Sequence, residues 1–282
     1  MKRRAKPEVA VVVPLEDPRG EVVEHLRTWT RHQELPRDRF QMILGADGKH
    51  PDFEERVTAE LADQDELVRV PGASLMGLYD AGARAATAPV LVLTEAHVRA
   101  EPGCLAAVAE AFARDPDLDA ATIKHLQSTT RGISTLSERW FARCFEAWDR
   151  EDWVRFNTTG VAITGEAYAR VGGLEHLGLY APSLLSARLD EQGVRIAHLE
   201  DAVLTHELED DMAYSLELGA NFARGECIVR REQDPEFCER YFGPAGLWER
   251  RHAYRHEIAG SMVAALTSAI RRSPGDRRWL AR

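Results

Sequence analysis

Hydrophobic residues in the first hundred positions occur as short apolar runs, and the stretches between these runs have helical spacing. The runs predict four strands, over residues 9–13, 40–44, 67–70 and 90–94. The intervening stretches place apolar side chains on one helical face and predict helices over residues 21–32, 53–61 and 75–86. Strands that alternate with helices in this order are typical of an α/β fold with a largely parallel sheet and helices on both faces.

The pattern beyond residue 100 is less regular. It predicts helices over residues 104–114, 134–149, 166–171 and 184–192. It predicts strands over residues 120–124, 158–164, 194–197 and 202–205. The remainder, from about residue 212 to residue 282, has the composition of a charged helical extension.

Composition narrows the class of protein. The chain has 282 residues, of which 44% are hydrophobic and 29% charged, as expected of a soluble globular protein with a sizeable core. The net charge of −10 argues against general nucleic-acid binding. No run approaches the roughly 18 apolar residues of a membrane span. The four cysteines have no metal-ligand spacing, so we expect reduced thiols in a cytoplasmic protein.

The C-terminal segment has a net positive charge, whereas the chain as a whole is negatively charged. Between Arg250 and Arg282 there are eight arginines and only two acids, Glu257 and Asp276. Such a tail could contact an anionic membrane surface or a second subunit. The alternative is a solvated helical face without a partner.

A carboxylate and an imidazole follow the fourth predicted strand directly. Glu95 and His97 are two residues apart, so they leave the same side of an extended chain. Open α/β sheets bind ligands beyond the carboxyl ends of their strands, where Glu16 and Asp47 also lie. Glu95 and His97 could hold a divalent cation, which in turn could hold a diphosphate. Neither a dinucleotide-binding fingerprint nor a P-loop is present.

Several of these segments match, in order, the pattern of one enzyme family. The opening strand ends at Pro14, the second strand ends at Asp47, and Asp80 stands in a helix of small residues where the family often has Asn. The other matching segments are Glu95-Ala96-His97, residues 163–174 with their closing Gly172-Gly173-Leu174, and the late His206. Over roughly residues 8–230 the chain resembles a family-2 glycosyltransferase with the GT-A fold, in a branch with an E-D-H-like metal motif.

The resemblance implies a function and a set of site residues. It implies transfer of a sugar from a nucleotide-diphosphate sugar to an acceptor, with inversion, while the sugar, the base and the acceptor stay open. Mn or Mg would be bound by Glu95, His97 and His206. Nucleotide contacts would come from Pro14, Glu16, Asp47 and Asp80. Residues 1–100 would form the nucleotide-sugar half and residues 101–211 the acceptor half of one GT-A domain, followed by a helical extension over 212–282.

The chain departs from the family pattern on the acceptor side. Ala181 and Pro182 stand where most members carry an acid pair, so the usual catalytic base is missing or displaced. The candidate bases are Glu175, Glu207, Asp210 and Asp211. The departure leaves a second hypothesis open, that of a catalytically degenerate GT-A-like protein that binds nucleotide or serves as a scaffold.

Overall fold

The computed structural model describes residues 6–15, 22–129, 156–174, 177–208 and 212–243. Their contacts divide the chain into two compact units. The first comprises residues 1–128 and 151–207, and the second comprises residues 129–150 and 208–282.

The described residues form one eight-stranded sheet. With the strands numbered in chain order, their order across the sheet is β3-β2-β1-β4-β7-β6-β8-β5. The strands are β1 (Val9–Pro14), β2 (Phe40–Ala46), β3 (Glu66–Arg69), β4 (Val90–Thr94), β5 (Val98–Ala100), β6 (Ala120–Thr129), β7 (Gly160–Thr164) and β8 (Ile196–Leu208). The helices are α1 (Val22–Thr30), α2 (Pro51–Thr58), α3 (Leu75–Ala85), α4 (Cys104–Arg114), α5 (Gly165–Arg170), α6 (Ala181–Glu191), α7 (Met212–Glu232) and α8 (Pro235–Phe242). The predicted mixed α/β fold is confirmed.

The sheet has a parallel part and an antiparallel part. Strand β1 runs parallel to β2 and β4, and β2 runs parallel to β3. Every residue of β1, β2 and β4 is buried, which explains why these strands read as continuous apolar runs rather than alternating ones. Strand β7 is antiparallel to β4 and β6, and β5 is antiparallel to β8.

The second half of the sheet differs most from the sequence prediction. Strand β8 is one continuous strand where two short ones were predicted, and β6 extends well past residue 124. The three-residue strand β5 was not predicted, because a run of that length gives no periodic signal. The helix predicted over residues 134–149 lies outside the described residues.

Two glycines allow helix α3 to pack closely on the sheet. A Cβ atom at Gly82 would lie 2.6 Å from Cγ1 of Val12, and one at Gly45 would lie 2.7 Å from the Leu78 carbonyl oxygen. Real side chains do not tolerate such distances, so larger residues would force the helix away from β1 and β2. The small residues of this segment therefore set the depth of the helix against the sheet.

Hydrogen bonds from buried aromatic side chains fix the ends of β4 and β5. The Tyr79 hydroxyl donates to the carbonyl oxygen of Thr94 at 2.9 Å. The Trp29 indole donates to the carbonyl oxygen of Val98 at 3.0 Å. The loop that carries Glu95 and His97 is thus anchored at both ends. Among the described helices none is long and apolar enough to cross a membrane.

Candidate metal centre and nucleotide site

Three predicted metal ligands come together at the carboxyl end of β4. Glu95 and His97 lie in the turn between β4 and β5, where the Val98 amide donates to the Glu95 carbonyl at 3.2 Å. His206 lies on β8, and it reaches the same place because it pairs with Val98 in the antiparallel β5–β8 ladder. Residues that are more than a hundred positions apart therefore share one site.

The side chains of these residues point at a common centre. The Nε2 atoms of His97 and His206 are 2.8 Å apart, and they lie 2.9 Å and 3.2 Å from Oε2 of Glu95. One ligand atom from each residue lies within 4.8 Å of the others. We call Glu95, His97 and His206 the EHH cluster.

The electrostatics of the EHH cluster favour an ionised carboxylate. Burial opposes ionisation of Glu95, but hydrogen bonds from His206 and His97 outweigh it and hold the pKa of Glu95 well below its ordinary value. The Thr159 hydroxyl donates to Oε1 of Glu95 at 3.2 Å, which fixes the carboxylate plane. The cluster therefore presents one negative charge and two imidazoles.

The donor set suits a divalent cation. Two ring nitrogens at 2.8 Å can share one proton, or they can both offer their lone pairs to an ion. Carboxylate and imidazole are ligands of Mn²⁺ and of later transition metals, and three protein ligands leave coordination positions open. The His97 side chain is 38% exposed and that of His206 is 12% exposed, so the cluster is reached from the His97 side.

Asp47, the predicted base-contacting residue, lies at the end of β2 with its carboxylate buried. Its Oδ1 accepts from the Lys49 amide at 3.0 Å, and its Oδ2 pairs with the Lys49 ammonium. Burial raises the pKa of Asp47, but the contacts with Lys49 prevail and leave it lowered. Pro14 ends β1 beside Gly45, and Glu16 lies outside the described residues.

Asp80 has partners within the protein. Its Oδ2 accepts from Arg84 at 2.7 Å, and its Oδ1 accepts from the Tyr168 hydroxyl at 3.2 Å. The same hydroxyl accepts from the Leu174 amide at 3.0 Å. Gly173 has a φ of 69°, and a Cβ there would lie 2.8 Å from Oδ1 of Asp80. Asp80 thus ties helix α3 to the glycine turn that follows α5.

One of the four candidate bases, Glu207, lies within the described residues. Its carboxylate contacts His25 at 3.0 Å and Arg99 at 3.3 Å. Because adjacent strand residues point to opposite faces, Glu207 leaves β8 on the side away from His206. Glu175, Asp210 and Asp211 lie outside the described residues.

The segment that should carry the acid pair is apolar. Helix α6 begins at Ala181, both Ala181 and Pro182 are buried, and its first turn contains no acidic residue. The described part of the acceptor side therefore offers no carboxylate at this position.

His125 is a residue of this region that the sequence prediction missed. It lies on β6, one position beyond the predicted end of that strand. Its Nε2 is buried, and no described residue forms a hydrogen bond with it. Burial, together with the charges of His206 and His198, lowers its pKa to about 4, while Glu95 acts in the opposite direction. The imidazole is therefore neutral near pH 7.

The comparisons with known proteins support the fold. No protein-family model matches the chain, and no curated protein sequence matches it. The chain is similar in structure to the mannosyltransferase PcManGT from Pyrobaculum calidifontis, which was solved in complex with GDP-Man and Mn²⁺. The TM-score is 0.63 at 18% identity, over 98% of this chain and 78% of that one. The chain therefore has a glycosyltransferase-like fold.

Proposed function

We propose that this protein transfers a sugar from a nucleotide-diphosphate sugar to an acceptor hydroxyl, with Mn²⁺ or Mg²⁺ held by Glu95, His97 and His206. The observation that carries the proposal is the convergence of three ligand atoms within 4.8 Å at the carboxyl end of β4. The structurally similar mannosyltransferase binds GDP-Man and Mn²⁺, which supports the same class of donor and ion here.

The proposed reaction is a single displacement. The acceptor oxygen forms a bond to the anomeric carbon, the bond from that carbon to the diphosphate oxygen breaks, and the electron pair leaves with the diphosphate. The acceptor proton passes to a base. A bound divalent ion would neutralise the charge that develops on the leaving diphosphate. The configuration at the anomeric carbon inverts, because one displacement occurs.

The donor side of the proposed site includes Asp47. Its ionised carboxylate can accept hydrogen bonds from N–H groups of a nucleotide base. The next residue, Gly48, lines an open cleft of about 410 Å³ together with Pro51, Glu54, Glu55, Thr58 and Arg69. Pro14, Glu16 and Asp80 are the other proposed contributors to nucleotide binding.

Thermal unfolding with GDP and UDP, each with and without MnCl₂, tests donor binding. A nucleotide at 100 times its Kd should stabilise the fold by about 2.7 kcal/mol. A screen of GDP- and UDP-sugars for hydrolysis and transfer then tests the reaction. If no nucleotide diphosphate raises the unfolding temperature with Mn²⁺ present, the proposal is wrong.

A second function is favoured by the apolar start of α6. With Ala181 and Pro182 in place of an acid pair, the chain could bind nucleotide and metal without transferring a sugar, as a scaffold or partner protein. Intact nucleotide binding with no transfer from any donor would establish this alternative.

The arginine-rich segment 250–282, which lies outside the described residues, is proposed to contact an anionic membrane or a second subunit. Deletion of residues 271–282 should reduce retention on anionic vesicles, or the oligomer mass, more strongly at low salt. If neither quantity changes, the tail has no such partner.

A further inference from the structure

The His125 ring occupies a space that only glycine at position 160 leaves open. A Cβ at Gly160 would lie 2.8 Å from Nε2 of His125 and 2.1 Å from Cδ1 of Leu204. The ring thus packs over Gly160 of β7, and Nε2 is the ring atom nearest to the position of that Cβ. Since that nitrogen is buried, water from the bulk does not satisfy it.

His125 lies near the strand residues that precede Glu95 and His206. Gly160 pairs with Thr94, the residue before Glu95. Leu204 precedes His206 by two positions on β8, so both side chains leave that strand on the same face. The imidazole therefore packs against the partner of the residue before Glu95, and the charges of both Glu95 and His206 act on its ring.

A nitrogen that has no hydrogen-bond partner among the described residues is unusual in such a place. Buried polar groups are nearly always hydrogen-bonded, because an unmade hydrogen bond in the interior is costly. The Nε2 of His125 is not among the ligand atoms that lie within 4.8 Å of one another, so it is not placed as a direct ligand.

We propose that His125 is a positioning residue of the metal centre, whose Nε2–H donates a hydrogen bond to an oxygen ligand carried by the ion, either water or phosphate. This inference rests on the proposed metal site. Three protein ligands leave positions that oxygen ligands fill, and partners of such ligands strengthen metal binding. His125 would then gain its missing partner only when the ion is bound.

Titration calorimetry and Mn²⁺ electron paramagnetic resonance test the proposal on the full chain. The probes are MnCl₂ alone, for a water ligand, and MnCl₂ with GDP or UDP, for a phosphate ligand. His125→Leu should raise the Kd for Mn²⁺ by about 10- to 100-fold in at least one of these arms. His125→Gln, which keeps an N–H donor, should restore most of the affinity.

The unfolding temperature without metal separates positioning from a structural role. His125→Leu removes a buried nitrogen that no described residue satisfies, so the metal-free unfolding temperature of the variant should equal or exceed that of the wild type. If His125→Leu does not fold, His125→Met serves as the apolar variant instead. His198→Leu is the matched control, because both nitrogens of His198 already have partners, Thr122 at 2.8 Å and Glu200 at 3.2 Å. Its Mn²⁺ affinity should stay unchanged.

The possible outcomes are distinct. Loss of affinity with MnCl₂ alone identifies a water ligand, and loss only with nucleotide present identifies a phosphate ligand. Equal Mn²⁺ affinity of wild type and the apolar variant in both arms would overturn the role of His125 and leave the EHH cluster intact. Failure of the wild type to bind Mn²⁺ in either arm would instead overturn the metal site itself, and this inference with it.

Discussion

The donor side and the acceptor side of the proposed site differ in how completely their chemistry is assembled. On the donor side, Glu95, His97 and His206 already converge, with their ligand atoms within 4.8 Å of one another. On the acceptor side, Ala181 and Pro182 are buried at the start of α6 and offer no proton acceptor. The proposed binding of a metal and nucleotide can therefore be tested apart from the proposed proton transfer.

The largest expected effect belongs to the acceptor side. If the protein transfers sugar, substitution of its catalytic base should lower the rate about 10²- to 10⁴-fold. The variants are Glu175→Gln, Glu207→Gln, Asp210→Asn and Asp211→Asn, with transfer measured at saturating donor. The catalytic base is the residue whose substitution lowers the transfer rate by this factor without weakening donor binding.

Glu207 needs its own control, because its carboxylate contacts His25 and Arg99. Unfolding temperatures of Glu207→Gln and Arg99→Gln would show whether a lower rate reflects loss of stability. Transfer that survives all four substitutions would indicate that the acceptor itself supplies the base. The acceptor side of the protein would then contribute no catalytic carboxylate.

The next largest effect belongs to the donor side. His97→Ala removes one of the three proposed metal ligands of the EHH cluster. Loss of even an indirect partner of a metal ligand costs about 10- to 100-fold in metal affinity, so loss of a ligand should cost at least about 100-fold. Calorimetric titration with MnCl₂ measures this, and Mn²⁺-dependent nucleotide binding should disappear in parallel. Unchanged Mn²⁺ binding in this variant, with the fold intact, would remove the metal role of His97.

The difference between the two sides also explains what the sequence could predict. Glu95 and His97 follow a buried strand directly, so strand periodicity alone places them on one side of the chain. His206 was assigned through the family resemblance, and its approach depends on the pairing of β8 with the unpredicted strand β5. His125 could not be found, because its surroundings are made by β7 and β8, which are distant in sequence. The direction of Glu207 likewise requires β8 to be one continuous strand.

A moderate effect on stability is expected where the two sides are joined. Tyr168→Phe removes a hydroxyl that donates to Asp80 and accepts from the Leu174 amide. Since this leaves a buried amide without its partner, the free energy of unfolding should fall by about 1–3 kcal/mol. Chemical denaturation measures the change. Glu166→Gln, on the same helix with a side chain that is 90% exposed, is the control and should change little. An unaltered free energy for Tyr168→Phe would mean that this link does not stabilise the glycine turn.

The smallest expected effect concerns Lys49 and has the opposite sign. The Lys49 ammonium pairs with the carboxylate of Asp47, which is the proposed acceptor for a nucleotide base. The nucleotide base must compete with the Lys49 ammonium for the Asp47 carboxylate, so Lys49→Ala should tighten nucleotide binding. Pairs with an exposed partner contribute about 0.2–1 kcal/mol, which corresponds to a gain of up to about fivefold. Asp47→Ala should weaken binding, and calorimetric titration with GDP and UDP compares both variants with wild type.

The pH dependence of the Lys49 variant sharpens this test. Lys49 holds the pKa of Asp47 below its ordinary value of about 3.9, whereas burial acts to raise it. Lys49→Ala removes the hydrogen bond and the charge of the ammonium, both of which lower the pKa of Asp47, so that pKa rises and the carboxylate protonates at a higher pH. Nucleotide affinity of Lys49→Ala should therefore exceed that of wild type near pH 7 and decline at a higher pH than wild type as the solution is acidified. If Lys49→Ala instead binds more weakly at pH 7, the ammonium contributes to nucleotide binding directly, and the donor side holds one more functional group than the EHH cluster and Asp47 provide.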